Sequence, residues 1–266
     1  MSQTTRSLLF LFALFSAISC AHLPKAQGEY VGTPYISRTV GTGVVGQGEL
    51  ELEGLADIDP GERVKSTIKI NAGLGPGFEG AIGFAPYYSS GTGADSHGVG
   101  DVTVTAKYQY ADGSAGRPYG IVEVEGRLPT SDAGPAGRNG ETDFLMATSL
   151  GQAFGGYSLI GTYELGLLGE RDLDSVVVEH GAVLAASFRI NSDVRAFTEA
   201  SMVYVPRAGV WEWYGGAGGG YHLSDALELQ GALQFGLNDT AHDYLVVFGF
   251  AYELGPVFPV MRATQL

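Results

Sequence analysis

The stretch Asp243-Tyr-Leu-Val-Val-Phe-Gly-Phe-Ala-Tyr-Glu-Leu254 alternates with a period of two. Tyr244, Val246, Phe248, Phe250, Tyr252 and Leu254 fall on one face. Gly249, Ala251 and Glu253 fall on the other. Period two sends successive side chains to opposite faces of a strand. One face here is apolar and aromatic, and the other is small or charged. Runs of the same kind, joined by short turns rich in Gly, Asn and Asp, fill residues 47–254. A chain built this way is all-β, and its apolar faces need either a core or lipid to lie against.

The runs predict strands near 47–57, 64–74, 78–88, 100–110, 118–128, 142–152, 156–167, 175–190, 194–205, 211–222, 227–237 and 243–254. The even count, about 12, suits an outer-membrane barrel. Short connections follow the second, fourth, sixth, eighth and tenth runs. Longer ones, Ser89 to Gly98 and Pro129 to Gly140, follow the third and fifth. Short turns at one end and loops at the other fit periplasmic turns and extracellular loops, with both termini periplasmic. Tyr88, Tyr110, Tyr157, Trp211, Trp213 and Tyr252 sit near strand ends, where an interfacial aromatic girdle belongs. The expected fold is a single transmembrane antiparallel up-and-down β-barrel over 47–254, behind a cleaved N-terminal signal.

The start of the chain supports that setting. Arg6 precedes the apolar run Ser7-Leu-Leu-Phe-Leu-Phe-Ala-Leu-Phe15, and small residues follow. This is the form of a secretory signal over 1–20, too short to span a bilayer as a helix. Two processing readings stay open. Ser19 and Ala21 fit a small-x-small cleavage site. Ala17-Ile-Ser-Cys20 also resembles a lipobox that would lipidate Cys20, although it lacks the usual Leu three residues before the Cys. Cys20 is the single cysteine, so no intramolecular disulfide can form. Residues 21–46, rich in Gly, Pro and Thr, are read as a periplasmic leader or a bore plug, and 255–266 as a C-terminal tail.

A net charge of −14 argues against nucleic-acid binding, which needs a basic patch. The polar strand faces carry most of the acid. If the apolar face meets lipid, the bore is lined by Glu51, Lys65, Lys69, Glu79, Asp101, Lys107, Glu123, Glu125, Arg127, Glu164, Glu179, Arg189, Arg195, Glu199, Glu212 and Glu228. Glu49, Glu53 and Glu253 belong to the same faces. The expected working pairs are Lys65 and Lys69 against Glu51, Glu79 and Glu123. An acid-rich bore favours cations. The same side chains can also plug a narrow barrel with ion-paired ladders.

Enzyme readings find less support in the chain. His22, His97, His180, His222 and His242 form no His-x-Ser pair on one strand face, as an outer-membrane hydrolase would need. His97 with Asp95 and Asp101 is too sparse for a metal site. No phosphate-binding glycine signature lies between a strand and a helix, so no cofactor is expected.

Four stretches carry a resemblance. They are Gly75-Pro-Gly-Phe-Glu-Gly-Ala-Ile-Gly-Phe-Ala-Pro-Tyr-Tyr88, Gly98-Val-Gly-Asp-Val-Thr-Val-Thr-Ala-Lys-Tyr-Gln-Tyr110, Gly126-Arg-Leu-Pro-Thr-Ser-Asp132, and Tyr221-His-Leu-Ser-Asp-Ala-Leu-Glu-Leu229 with the final strand. In this order they resemble a family of outer-membrane transporters named for the meta-cleavage pathway of phenol degradation. The resemblance implies an outer-membrane β-barrel. The chain departs from the family pattern at Thr130-Ser-Asp132, which lacks a Gly found in many relatives. Its last strand ends at Leu254 rather than at the aromatic that signals the barrel-assembly machinery.

Three functions follow in order of preference. The first is a passive channel or transporter for small solutes, including hydrophobic or aromatic compounds. The second is a closed barrel whose loops 89–99 and 129–140 bind a partner. The third is an outer-membrane hydrolase. The partners expected of the first are the lipid bilayer, the barrel-assembly machinery and a small-molecule solute.

Overall fold

In a computed structural model, described over residues 43–59, 63–90, 97–130, 141–170 and 175–257, the alternating runs become strands. They are β1 (Glu49–Asp59), β2 (Arg63–Gly75), β3 (Phe78–Ser90), β4 (His97–Gly98), β5 (Val102–Asp112), β6 (Tyr119–Leu128), β7 (Asp143–Phe154), β8 (Tyr157–Glu170), β9 (Ser175–Arg189), β10 (Val194–Val205), β11 (Val210–Ser224), β12 (Leu227–Gly236) and β13 (Tyr244–Pro256). A single 3₁₀ turn, Ser114–Gly116, is the one helical element among the described residues. Twelve long strands form a closed antiparallel barrel, and the two-residue β4 is an extra strand on the tip of β3.

Each long strand pairs with its neighbours in sequence, and β1 pairs with β13, Leu52 opposite Tyr252, to close the ring. Closure removes the free edges that an open sheet would expose. The shortest wall strands, β6 and β12, have 10 residues. That matches the ~9–11 residues a tilted strand needs to cross a bilayer. The turns 76–77, 155–156 and 225–226 gather at one end, called here the turn end. At the first of them Gly77 holds φ of +68°, and a Cβ there would lie 2.8 Å from the Gln109 carbonyl oxygen. The opposite end is the loop end.

The two faces are those of a barrel in lipid, not of a soluble sandwich. Ile70, Ile82, Leu150 and Phe248 point outward and are 50%, 62%, 60% and 55% exposed. Glu51, Glu79, Asn71 and Lys107 point inward and are buried. A soluble sandwich would bury the first set and expose the second. Outward rings also cover gaps in the wall. The Tyr110 ring lies where a side chain on Gly120 would stand, and Phe250 does the same over Gly54.

Expected strand limits and observed ones differ by at most three residues, with three corrections. First, β13 continues past Leu254 to Pro256, and Val257 N–H donates to the Gly48 carbonyl at 2.9 Å. The tail therefore begins as part of the wall, and its residues 258–266 lie outside the described residues. Second, β4 had no counterpart in the sequence reading. Third, Tyr88 does not join an outer girdle. The β2–β3 register shifts between Ser66 and Ile68, where Ala85 and Pro86 stand against Thr67 alone. Pro86 has no N–H for the ladder. Ser66 Oγ takes up the slack, accepting from Tyr87 N–H at 3.0 Å and donating to Tyr87 O at 3.2 Å. The bulge sends Tyr87 outward and Tyr88 into the lumen, level with Lys65. The signal segment 1–20, Cys20 and residues 21–42 also lie outside the described residues.

Candidate functional site: the lumen

Lumen side chains collect at three places. At the turn end, β1, β2, β3, β5 and β6 face one charged cluster. Glu79, Lys107 and Glu123 are cross-strand neighbours in one row. Lys107 Nζ lies 3.2 Å from Glu79 Oε1 and 3.7 Å from Glu123 Oε2. Beside them, Asn71 donates through Nδ2 to Glu51 at 3.2 Å and to Glu53 at 2.6 Å. The amide satisfies two buried carboxylates that would otherwise face each other.

This cluster also holds backbone from outside the wall. Val45 N–H donates to Glu79 Oε2 at 2.8 Å, and Gly43 N–H donates to the Tyr119 hydroxyl at 3.0 Å. Gly48 N–H donates to the Gly73 carbonyl at 2.8 Å. The segment 43–48 thus lies against the inner wall of β2, β3 and β6. Nearby inward residues of β6 to β9, among them Ile121, Ile160 and Ser187, are completely buried.

The second place is also at the turn end, across β11. Arg195 reaches Glu228 with Nε at 2.8 Å from Oε1, and a second short contact joins its Nη2 to Oε2. The strand between them carries Gly218, Gly219 and Gly220 at this level. A Cβ on Gly220 would strike the Glu228 carboxylate.

The third place is the loop end. A cavity of about 450 Å³ is lined by Leu55, Phe197, Val203, Leu245 and Val247 and by Asp57, Glu179, Glu199 and Glu212, with Arg63, Tyr214 and His242. The buried Tyr214 donates to Glu212 Oε2, and its oxygen stands 3.2 Å from His242 Nδ1. A smaller cavity of about 140 Å³ at the same end is lined by Arg63, Lys65, Thr103, Arg127, Tyr88 and Asp101. There Arg127 approaches Asp143 at 3.4 Å and Glu125 at 3.8 Å, and Asp101 accepts from Thr130 N–H at 3.0 Å.

The candidate residues are therefore dispersed. Lys107, rather than Lys65 or Lys69, is the cation that gathers Glu79 and Glu123. Lys69 stands cross-strand from Glu53, and Lys65 from Asp57. Glu51 is held by Asn71. Glu164 stands opposite Gly181 on the inner face, where a side chain on that glycine would meet its carboxylate oxygen 2.7 Å away. Arg189 is on the inward parity of β9 but is exposed at the turn end, opposite Arg195, as are Glu49 and Glu253 at the ends of their strands. Period two sets the face, and strand ends free the long side chain to turn into solvent. Sequence reasoning passed over Asn71, Asp143, Tyr119 and Arg63. Asn71, Tyr119 and Arg63 share the parity of chosen residues on their own strands, and Asp143 falls opposite in parity to the apolar Phe144 and Met146, so parity alone would have included all four. Among the described residues no group of three or more His, Cys, Asp or Glu is placed to hold a metal ion. His180 faces outward, with Nδ1 2.7 Å from the Tyr163 hydroxyl.

No protein-family model matches the chain, and no curated protein sequence matches it. Among solved structures, the barrel is similar to the COG4313 outer membrane channel from Pseudomonas putida, with a TM-score of 0.65 and 11% identity over 82% of this chain and 100% of that one. It is similar to the NanC porin, with a TM-score of 0.55 and 13% identity over 77% of this chain and 100% of that one. It is also similar to the KdgM porin, with a TM-score of 0.53 and 9% identity over 76% of this chain and 98% of that one. At these identities the likeness is one of fold: a closed antiparallel barrel of the outer-membrane type.

Proposed function

We propose that the chain is a passive outer-membrane channel for small solutes. The observation that carries this reading is the inverted distribution of polarity. The outward band is apolar, while the lumen is lined by charged and polar groups and opens at the loop end into a cavity of about 450 Å³. The similarity in fold to outer-membrane channels and porins supports it. Barrel closure and the apolar band support a location in a bacterial outer membrane, and insertion by the barrel-assembly machinery is part of the same proposal. The apolar residues Phe197 and Val247 inside the cavity favour solutes with a hydrophobic or aromatic part. The test is single-channel conductance of the refolded protein in planar bilayers, with solute flux into liposomes. Absence of both current and flux would sink the channel reading.

A second reading has its own support. Residues 43–48 sit on the inner wall at the turn end, bonded to Tyr119 and Glu79. In this reading the leader 21–46 acts as a bore plug, and the resting barrel is closed at that end.

A further inference from the structure

The loop-end cavity has an apolar strip beside a row of carboxylates. Leu55 on β1, Leu245 and Val247 on β13 and Phe197 on β10 form the strip. Phe197 and Val247 are buried against Leu55, Ala232 and Leu245, the one place where the lumen holds a hydrophobic cluster among the described residues. Next to it, Glu179 on β9, Glu199 on β10 and Glu212 on β11 supply three carboxylates to the same cavity.

Apart from Arg207, on the exposed turn between β10 and β11, the described bases at this end lie away from them. Arg63, Lys65 and Arg127 gather in the smaller cavity, on β2 and β6. Arg63 is the lone guanidinium that reaches the larger one, and it enters beside Asp57, with Asp59 as its cross-strand partner. Among the residues lining the larger cavity, the carboxylates of Asp57, Glu179, Glu199 and Glu212 thus outnumber the one guanidinium, and the apolar strip adjoins them.

We propose that the larger cavity binds a small organic cation with an apolar body: an ammonium group toward Glu199 and Glu212, and an aryl or branched alkyl part on Phe197 and Val247. The proposal names a solute class for the channel reading and rests on it only for passage, not for binding. Carboxylates in a low-dielectric wall attract a cation more strongly than they would in water, and the apolar strip takes the organic part out of water. A small inorganic cation would leave the apolar strip unused. An aryl carboxylate would set its charge against the acidic row.

The test is calorimetric titration of the intact barrel in detergent micelles, corrected for partition into empty micelles. Phenethylammonium is compared with ethylammonium, which lacks the ring, and phenylacetate, which reverses the charge. Phenethylammonium is expected to bind at least about tenfold tighter than either. Glu199→Gln with Glu212→Gln should remove its advantage over phenylacetate, and Phe197→Ala its advantage over ethylammonium. Heat-modifiable gel mobility reports whether each variant is folded. If Phe197→Ala does not fold, Glu179→Gln, at a half-exposed position, must still weaken phenethylammonium without weakening phenylacetate. Equal binding of the three probes, tighter phenylacetate, or no binding at all overturns the proposal. Potassium conductance is read separately. A barrel that conducts without preferring phenethylammonium loses the site and keeps the channel. One that binds it without conducting keeps the site and loses the channel.

Discussion

Lys107 and Glu79 form an ion pair inside the barrel, Nζ to Oε1 at 3.2 Å, with side chains 5% and 2% exposed. Glu123 completes the row at 3.7 Å, and Glu53 lies in the same field. One ammonium therefore stabilises several carboxylates out of bulk water. Removing one partner of such a set leaves uncompensated charge, which costs more than the pair contributes. Lys107→Met is expected to destabilise the folded barrel by about 3–5 kcal/mol. Adding Glu79→Gln should restore part of the loss. Urea unfolding of the protein in lipid vesicles measures both. A neutral Lys107→Met would show that the lumen at this level is well hydrated.

The same carboxylate reaches backward to the segment that precedes β1. A Cβ on Gly73 would meet the backbone carbonyls of Gly46 and Val45, the second at 2.6 Å. Backbone cannot yield as a flexible side chain can. Gly73→Ala should therefore displace 43–48 while leaving Glu79, Lys107 and Glu123 in place. If this segment closes the turn end, the variant conducts more than the parent in planar bilayers. Gly75→Ala is the control, because nothing lies within 4 Å of a Cβ there. Equal currents from all three proteins would remove the plug reading.

The parity of each strand was legible because a lipid barrel writes its two solvents directly into alternate residues. Ile70 and Asn71 could be assigned to lipid and lumen from period two alone. The pairing within the lumen was not legible, because it depends on register across a long loop. Glu79 and Lys107 face each other only because β3 and β5 align Phe78 with Tyr108. No tight turn links β3 to β5, so the sequence leaves that alignment open, and Lys65 and Lys69 look equally placed. Tyr88 failed for a related reason. A single bulge at Pro86 reverses parity for the rest of the strand, and a proline in an alternating run was the available warning. Residues 43–48 carry no alternation at all. Their lodging rests on backbone N–H groups, which every non-proline residue supplies.

Glycine on β11 illustrates a role that composition hides. Gly220 stands under the Arg195–Glu228 bridge, and a Cβ on it would strike the Glu228 carboxylate and approach Arg195 Nε to 3.4 Å. The empty position lets side chains from β10 and β12 meet across the strand between them. Gly220→Ala should break this bidentate contact and cost about 1–3 kcal/mol, mainly through the buried carboxylate it strands. Glu228→Gln made in the Gly220→Ala background should then cost little more. A full additional loss in the double variant would show that the glycine serves another purpose. Unfolding midpoints in the same vesicles give the cycle.

Ile82 decides between lipid and water as the outer solvent. It is 62% exposed on β3, near the middle of the wall, beside the buried Ala81. An exposed Ile→Lys change in a water-soluble protein is close to neutral, within about 0.5 kcal/mol. At the midplane of a bilayer the same change on a barrel's lipid face costs about 2–4 kcal/mol. Ile82→Lys is therefore expected to lower unfolding stability by that larger amount in vesicles. The loss should shrink for Leu74→Lys, which is 58% exposed but lies at the turn end of β2. The gradient follows from depth, since a lysine near the rim can extend its ammonium to the headgroups. Equal, small effects at both positions would mean that the apolar band does not face lipid, and the membrane-spanning reading would fall with it.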